Sequence, residues 1–141
     1  MSTVTIVGGA GAVGRVAART LAQIGPFDHI IVADRDIEGA RGVVAEINAT
    51  HVEALAIDAG DPVGLADALA GTRVVLNCSG PFYRYALPVL QASLAAGCDY
   101  VDVCDDVDAT LALLDQDQAV RDAGRIALIG MGNSSGVTNL L

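Results

Sequence analysis

Gly8, Gly9, Gly11 and Gly14 crowd one short stretch near the amino terminus, and glycine is the residue that lets a phosphate approach the backbone. Gly9 to Gly14 fits Gly-x-Gly-x-x-Gly, while Gly8, Gly11 and Gly14 fit Gly-x-x-Gly-x-x-Gly, so the register of the first glycine is open. In such a motif the early glycine permits a tight turn and the middle one admits a pyrophosphate. The last lets a helix pack closely on a strand. Ala12 and Val13 then open that helix, whose unpaired N–H groups and positive dipole end favour anions. Twenty residues beyond Gly14 stands Asp34, followed by Arg35. A carboxylate at this distance binds the ribose 2′-hydroxyl of NAD, whereas an arginine pairs with the 2′-phosphate of NADP, so the two residues point in opposite directions. Asp58 reads equally well as an adenine-side contact or as a cap of the loop before Pro62. Cys78, Ser79, Gly80 and Pro81 form a third group, either beside the dinucleotide or in a plain turn.

Competing chemistries fail on residue type. A P-loop needs Lys and then Ser or Thr after its last glycine, and Arg15 and Val16 stand there. The chain contains no lysine at all, which also excludes the Tyr-x-x-x-Lys pair of short-chain dehydrogenases. Asp99, Asp102, Asp105, Asp106 and Asp108 are dense, but the glycine and glutamate of a calcium loop are missing, and helix capping explains most of them. Cys78, Cys98 and Cys104 lack Cys-x-x-Cys spacing, so no metal site is assigned. No His or Lys neighbours Cys104 to activate it as a nucleophile. His29 and His51 fall at strand starts, away from the end of the sheet where chemistry occurs, and read as structural. Tyr83 and Tyr85 enter a helix, either facing the nicotinamide side or packed with the hydroxyl wet, and receive no catalytic role; no catalytic residue is assigned.

These residues need strands and helices to hold them. Thr3 to Val7 reads as a buried strand, and Val13, Val16, Ala17, Thr20, Leu21 and Ile24 recur at helical spacing before Gly25-Pro26. A second strand runs from His29 to Ala33 and a second helix over Ile37 to Ile47. A third strand covers His51 to Ile57, then a helix capped by Asp61 with Pro62 at its first position. A fourth strand, Arg73 to Cys78, leads into Ser79 to Tyr83, a loop where open α/β sheets bind ligands. A helix from Tyr85 to Ala96, a strand from Tyr100 to Val103, one helix carrying Leu111, Leu114, Ala119 and Val120, and a strand from Ile126 to Ile129 complete the pattern. Six strands with five crossovers predict an α/β Rossmann fold, a doubly wound parallel sheet of order 3-2-1-4-5-6.

The chain has 141 residues, 52% of them hydrophobic and only 4% aromatic, suited to close packing of helices on a parallel sheet in one domain. A net charge of −9, with eight arginines against 17 acids, leaves no basic stripe for nucleic acid and no attraction to an anionic membrane. With no leader-like segment and no long apolar run, the expected location is cytoplasmic.

Beyond the fold, the chain resembles the NAD(P)-binding domain of the saccharopine dehydrogenase family. The resemblance lies in IVGGAGAVGRVAARTLA, in VADRD at Val32 to Asp36, in LNCSGPFYRYALPVL at Leu76 to Leu90, in GCDYVDVCDD at Gly97 to Asp106 and in GMGNSSGVTNLL at Gly130 to Leu141. It implies hydride transfer between a nicotinamide cofactor and a CH–NH centre of an amino acid or amine. It favours NADP through Arg35, with NAD as the alternative, and it makes the first 130 residues the cofactor domain. Residues 131 to 141 would then begin the connection to a substrate domain, which in this family supplies much of the pocket and the contacts of a homodimer. Where the family usually reads Pro-Gly-Val-Thr, Ser135 stands in place of the proline. A free-standing nucleotide-sensing module of the same fold is the second reading, favoured by the chain length.

Overall fold

Thr3, Val4, Thr5, Ile6 and Val7 form β1 (Thr3–Val7), buried along its whole length as a central parallel strand must be. The computed structural model describes all of residues 1–141. After β1 come α1 (Ala12–Ile24), β2 (His29–Asp34), α2 (Ile37–Ile47), β3 (Val52–Ala56), α3 (Pro62–Ala68) and β4 (Val74–Asn77). The chain continues through α4 (Phe82–Ala95), β5 (Asp99–Asp102), α5 (Val107–Leu114), α6 (Asp117–Asp122) and β6 (Ala127–Leu128), and closes on a 3-10 turn, Val137–Asn139. The six strands pair in parallel in the order β3-β2-β1-β4-β5-β6, which is the Rossmann order expected from the alternation of elements. The order reverses between β1 and β4, and open α/β sheets in general bind ligands in the crevice at such a switch.

Alternation along β1 splits the core between the two faces of the sheet. Val4 and Ile6 pack with Ala18 of α1 and Ala40 and Val43 of α2, whereas Val7 joins Leu65, Leu69, Val89, Leu90, Tyr100 and Leu113 under α3, α4 and α5. Thr5 faces the second layer too, and its hydroxyl meets that of Thr72 at 2.7 Å, so neither is left unsatisfied. No helix is long and apolar enough to cross a membrane.

The structure corrects several expected elements. α1 does not bury Val13, Val16 and Ile24; all three are exposed, and Gly14 and Ala18 face the sheet instead. Small residues win because the glycine turn draws the start of α1 against β1, where no branched side chain fits. The single helix expected to carry Leu111 to Val120 is two, α5 and α6, and Leu111 and Leu114 are exposed while Ala109 and Leu113 are buried. α4 begins at Phe82 rather than Tyr85, and β6 is two residues long rather than four.

Candidate functional site

The glycine turn is built against both neighbouring strands. Gly8 has φ 78°, in the left-handed region that glycine alone enters cheaply. A Cβ there would lie 2.8 Å from backbone atoms of Cys78 and Ser79 at the end of β4. The N–H groups of Gly8 and Gly9 both donate to the Ala33 carbonyl, at 2.9 and 3.0 Å, which closes the turn onto β2. A Cβ on Gly14 would stand 2.2 Å from the Gly8 carbonyl oxygen, so the close helix-to-strand contact depends on that glycine. Gly11 meets only the Gly8 carbonyl, at 3.3 Å, and is otherwise open. The turn, the open approach and the close packing thus fall on Gly8, Gly11 and Gly14, the wider of the two spacings. Gly9 serves separately, packed against Val32 of β2.

Gly11 caps α1 without a side-chain bond, and the first intrahelical N–H donor is that of Arg15, to the Gly11 carbonyl at 3.0 Å. The N–H groups of Ala12, Val13 and Gly14 therefore have no protein acceptor and present a ready anion site at the positive end of the helix dipole. The peptide of Ala10 is held from both sides. Its N–H donates to Asp34 Oδ2 at 3.0 Å and its carbonyl accepts from the Arg15 guanidinium at 2.9 Å.

A cleft of about 260 Å³ opens beside this turn, lined at one end by Asp34, Arg35, Ile57, Asp58, Ala59 and Tyr85. Asp34 is both cleft wall and turn brace, because its second carboxylate oxygen accepts from the Asp36 N–H at 3.0 Å. Arg35 is exposed and belongs to none of the four ion pairs, which leaves its guanidinium available to an anion. Asp58 caps its own loop, accepting from the Gly60 N–H at 2.8 Å, and still lines the cleft.

The other wall is the loop after β4, where Cys78, Ser79 and Gly80 line the cleft. Behind it runs a buried polar chain. Ser79 donates its N–H and its hydroxyl to Asn77 Oδ1, at 3.0 and 2.6 Å; the Asn77 amide reaches the Tyr100 hydroxyl at 3.1 Å; and that hydroxyl donates to Asp102 Oδ2 at 2.8 Å. Asp102 Oδ1 accepts from the N–H groups of Cys104 and Gly130, at 3.0 and 2.7 Å. Asn77, Tyr100 and Asp102 are all fully buried, and the parallel pairing of β4 with β5 sets Asn77 beside Asp102. Burial, reinforced by Asp102, holds the Tyr100 phenol well above its ordinary range, so it stays protonated. Burial and Asp102 likewise push the Cys78 thiol up to about 11, and burial raises Cys104, so neither is a thiolate nucleophile. The expected proline position near the carboxyl end is tied differently, through a 3.0 Å bond from the Ser135 hydroxyl to the Cys104 carbonyl.

The structure thus gathers Gly8, Gly11, Asp34, Arg35, Asp58, Cys78, Ser79 and Gly80 around one cleft. Gly9, Ala12, Val13, Gly14 and Pro81 do not line it. Gly9 and Gly14 pack the turn, Ala12 and Val13 open α1, and Pro81 is the residue before α4. Sequence reasoning missed Val7, Ile57 and Ala59 as lining residues and the Asn77-Tyr100-Asp102 chain entirely; Tyr85, weighed for the nicotinamide side but not assigned, lines the cleft. Of Asp99, Asp102, Asp105, Asp106 and Asp108, only Asp106 caps a helix, taking the Ala109 N–H at 2.8 Å, while Asp99 and Asp102 accept backbone N–H groups from Ile126 and from Cys104 and Gly130.

A family model described as the saccharopine dehydrogenase NADP binding domain matches residues 4–128. The chain is 34% identical over 106 residues to a trans-acting enoyl reductase of Mycobacterium tuberculosis, covering 74% of this chain and 25% of that protein. It is 33% identical over 150 residues to carboxyaminopropylagmatine dehydrogenase of Synechocystis, covering 99% of this chain and 36% of that one. Among solved structures, apo saccharopine dehydrogenase (L-Glu forming) of Saccharomyces cerevisiae superposes with a TM-score of 0.84 at 21% identity, over 99% of this chain and 29% of the other. The chain thus spans about a quarter to a third of the length of the curated relatives it matches.

Proposed function

Since the chain belongs to the saccharopine dehydrogenase NADP-binding domain family, we propose that its cleft holds NADP(H) as the cofactor half of an oxidoreductase acting on an amino-acid or amine CH–NH group. The observation that carries the cofactor assignment is Arg35, exposed at the cleft and unpaired, next to an Asp34 whose two oxygens already serve backbone N–H groups. An unpaired guanidinium suits a 2′-phosphate, and a committed carboxylate is a weaker partner for a ribose hydroxyl.

Gly11 and the free N–H groups of Ala12, Val13 and Gly14 would take the pyrophosphate. Ile57, Asp58, Ala59 and Tyr85 would enclose the adenine end, with Cys78, Ser79 and Gly80 bordering the other half. When bound, the nicotinamide supplies or accepts the hydride; this chain binds, orients and shields it. Residues 1–130 form the cofactor domain in this reading and 131–141 lead toward the part that holds substrate. The amine substrate is supported by similarity to carboxyaminopropylagmatine dehydrogenase across 99% of the chain. Reduction of an enoyl group is the second reading, favoured by the 34% identity to the trans-acting enoyl reductase. Steady-state assay of the protein in its full length with an amine and with an enoyl substrate separates the two.

Calorimetric titration of this chain tests the cofactor reading. NADP(H) should bind more tightly than NAD(H), and Arg35→Ala should weaken NADP(H) by roughly 10- to 100-fold, the range for a lost charge-assisted bond, while NAD(H) is unchanged. Tighter NAD(H) binding, indifferent to Arg35, would transfer the role to Asp34 and defeat the proposal.

A further inference from the structure

Resting on the dinucleotide reading of the cleft, we propose that Ser79 offers only acceptor lone pairs to the ligand and so selects a hydrogen-bond donor on the nicotinamide side, a ribose hydroxyl or the carboxamide NH₂. The sense of the buried chain behind it dictates this. The Ser79 backbone N–H, which can only donate, lies 3.0 Å from the Asn77 side chain, so the amide oxygen must face Ser79 and the NH₂ must face Tyr100. The Tyr100 hydroxyl, receiving that NH₂ at 3.1 Å, sends its own proton to Asp102 Oδ2. Asp102 accepts at both oxygens, with two backbone N–H groups on Oδ1. Direction is thus fixed at both ends, by a backbone donor at Ser79 and a carboxylate at Asp102.

The Ser79 hydroxyl sits 2.6 Å from Asn77 Oδ1, an atom that carries no proton, so the hydroxyl donates inward. A serine oxygen has one proton and two lone pairs, and only the lone pairs remain for the cleft that Ser79 lines. They repel phosphate oxygens and accept O–H or N–H. Asn77, Tyr100 and Asp102 are fully buried, so solvent does not share these bonds and the sense persists. The walls are therefore complementary in sign: the free N–H donors of Ala12, Val13 and Gly14 at the start of α1 for the pyrophosphate, an acceptor at Ser79 for the sugar or amide beyond it. Asn77 and Tyr100 are positioning residues, acting through Ser79.

The test compares NADP(H) with adenosine 2′,5′-bisphosphate, which lacks the nicotinamide half, on the unaltered chain, Ser79→Ala and Tyr100→Phe. Ser79→Ala should weaken NADP(H) by about 2- to 10-fold, the effect of one neutral hydrogen bond, and leave the bisphosphate unchanged. Tyr100→Phe leaves the Asn77 NH₂ without its acceptor, loosening the amide that orients the Ser79 hydroxyl, and should show a smaller loss of the same selectivity without touching ligand. If that variant fails to fold, Ser79→Ala, in the partly exposed loop, still decides. Repeating the comparison with the 3-acetylpyridine analogue of NADP, which has no amide N–H, identifies the donor. Sensitivity to Ser79 that survives assigns the ribose hydroxyl, and sensitivity that disappears assigns the carboxamide. Unchanged NADP(H) affinity in Ser79→Ala, or equal weakening of both ligands, would overturn the proposal while leaving the cofactor site standing. No binding of either ligand to the unaltered chain would overturn both.

Discussion

Gly14 shows how much of the site depends on atoms that are absent. Its place for a Cβ lies 2.2 Å from the Gly8 carbonyl oxygen and 2.7 Å from the Gly9 Cα, both backbone, so no rotamer change relieves the contact. Gly14→Ala must push α1 away from β1, and overpacking of this kind costs about 1–3 kcal/mol. The expected outcome is a lower urea midpoint together with loss of NADP(H) binding, because the N–H groups of Ala12 and Val13 move with the helix. Gly42 is the control. It sits within α2 with nothing inside 4 Å of a Cβ and an ordinary backbone conformation, so Gly42→Ala should stabilise by about 0.5–1 kcal/mol through helix propensity alone. A Gly14→Ala chain that unfolds at the wild-type midpoint and still binds NADP(H) would refute the close-packing account. The same contrast separates two kinds of glycine that are indistinguishable by residue type.

Three of the six α-helices start on aspartates. Asp36, Asp61 and Asp106 each accept an N–H three residues on, at the starts of α2, α3 and α5. Removing the acceptor in Asp106→Ala should cost about 1 kcal/mol, read by chemical denaturation, with Asp106→Asn or Asp106→Ser recovering most of it. A change confined to noise in Asp106→Ala would mean the cap is redundant with the packing of Ala109 and Leu113. Such local signals explain why much of the architecture was legible beforehand. β-branched runs gave the strands, Asp and Gly the helix limits, and alternation the sheet order. The faces of α1 and α5 were misread because hydrophobic period marks an apolar stripe without saying which stripe a tight turn will press onto the sheet. Gly14 and Ala18 won over Val13 and Val16 on size, not hydrophobicity. The chain through Asn77, Tyr100 and Asp102 could not be read at all, because it joins β4 to β5 in a register that exists only once α4 has crossed over. For the cleft, the Gly8–Gly14 spacing, the Asp34-Arg35 pair and the loop after β4 were visible, whereas Val7, Ile57 and Ala59 became neighbours only by folding.

For the whole molecule, exposed ion pairs carry little. All four involve at least one partner open to solvent, and such pairs contribute about 0–1 kcal/mol each. Stability rests on the two core layers, and its pH dependence on groups buried within or packed against them. Cys78 is raised to about 11 and Tyr100 above its ordinary 10.0, both first by burial and then by Asp102. Cys98 and Cys104 are raised in the same direction, each chiefly by burial. A raised pKa means the native state keeps a proton that the unfolded chain releases. The associated stability is therefore complete below the unfolded value and disappears as pH climbs toward the folded one. For Cys78 that window runs from 9.0 to about 11, and the loss from Tyr100 begins near 10.0. Each group contributes a slope approaching 1.4 kcal/mol per pH unit within its window. Urea unfolding followed from pH 7 to 10.5 should thus be flat to about pH 8 and then fall with increasing steepness. Cys78→Ala should remove part of the fall above pH 9, and Tyr100→Phe, starting from a lower plateau, should flatten what remains above pH 10. Stability that holds level to pH 10.5 in the unaltered chain would mean that these thiols and the phenol reach solvent in the native state, and the buried chain behind Ser79 would fall with them.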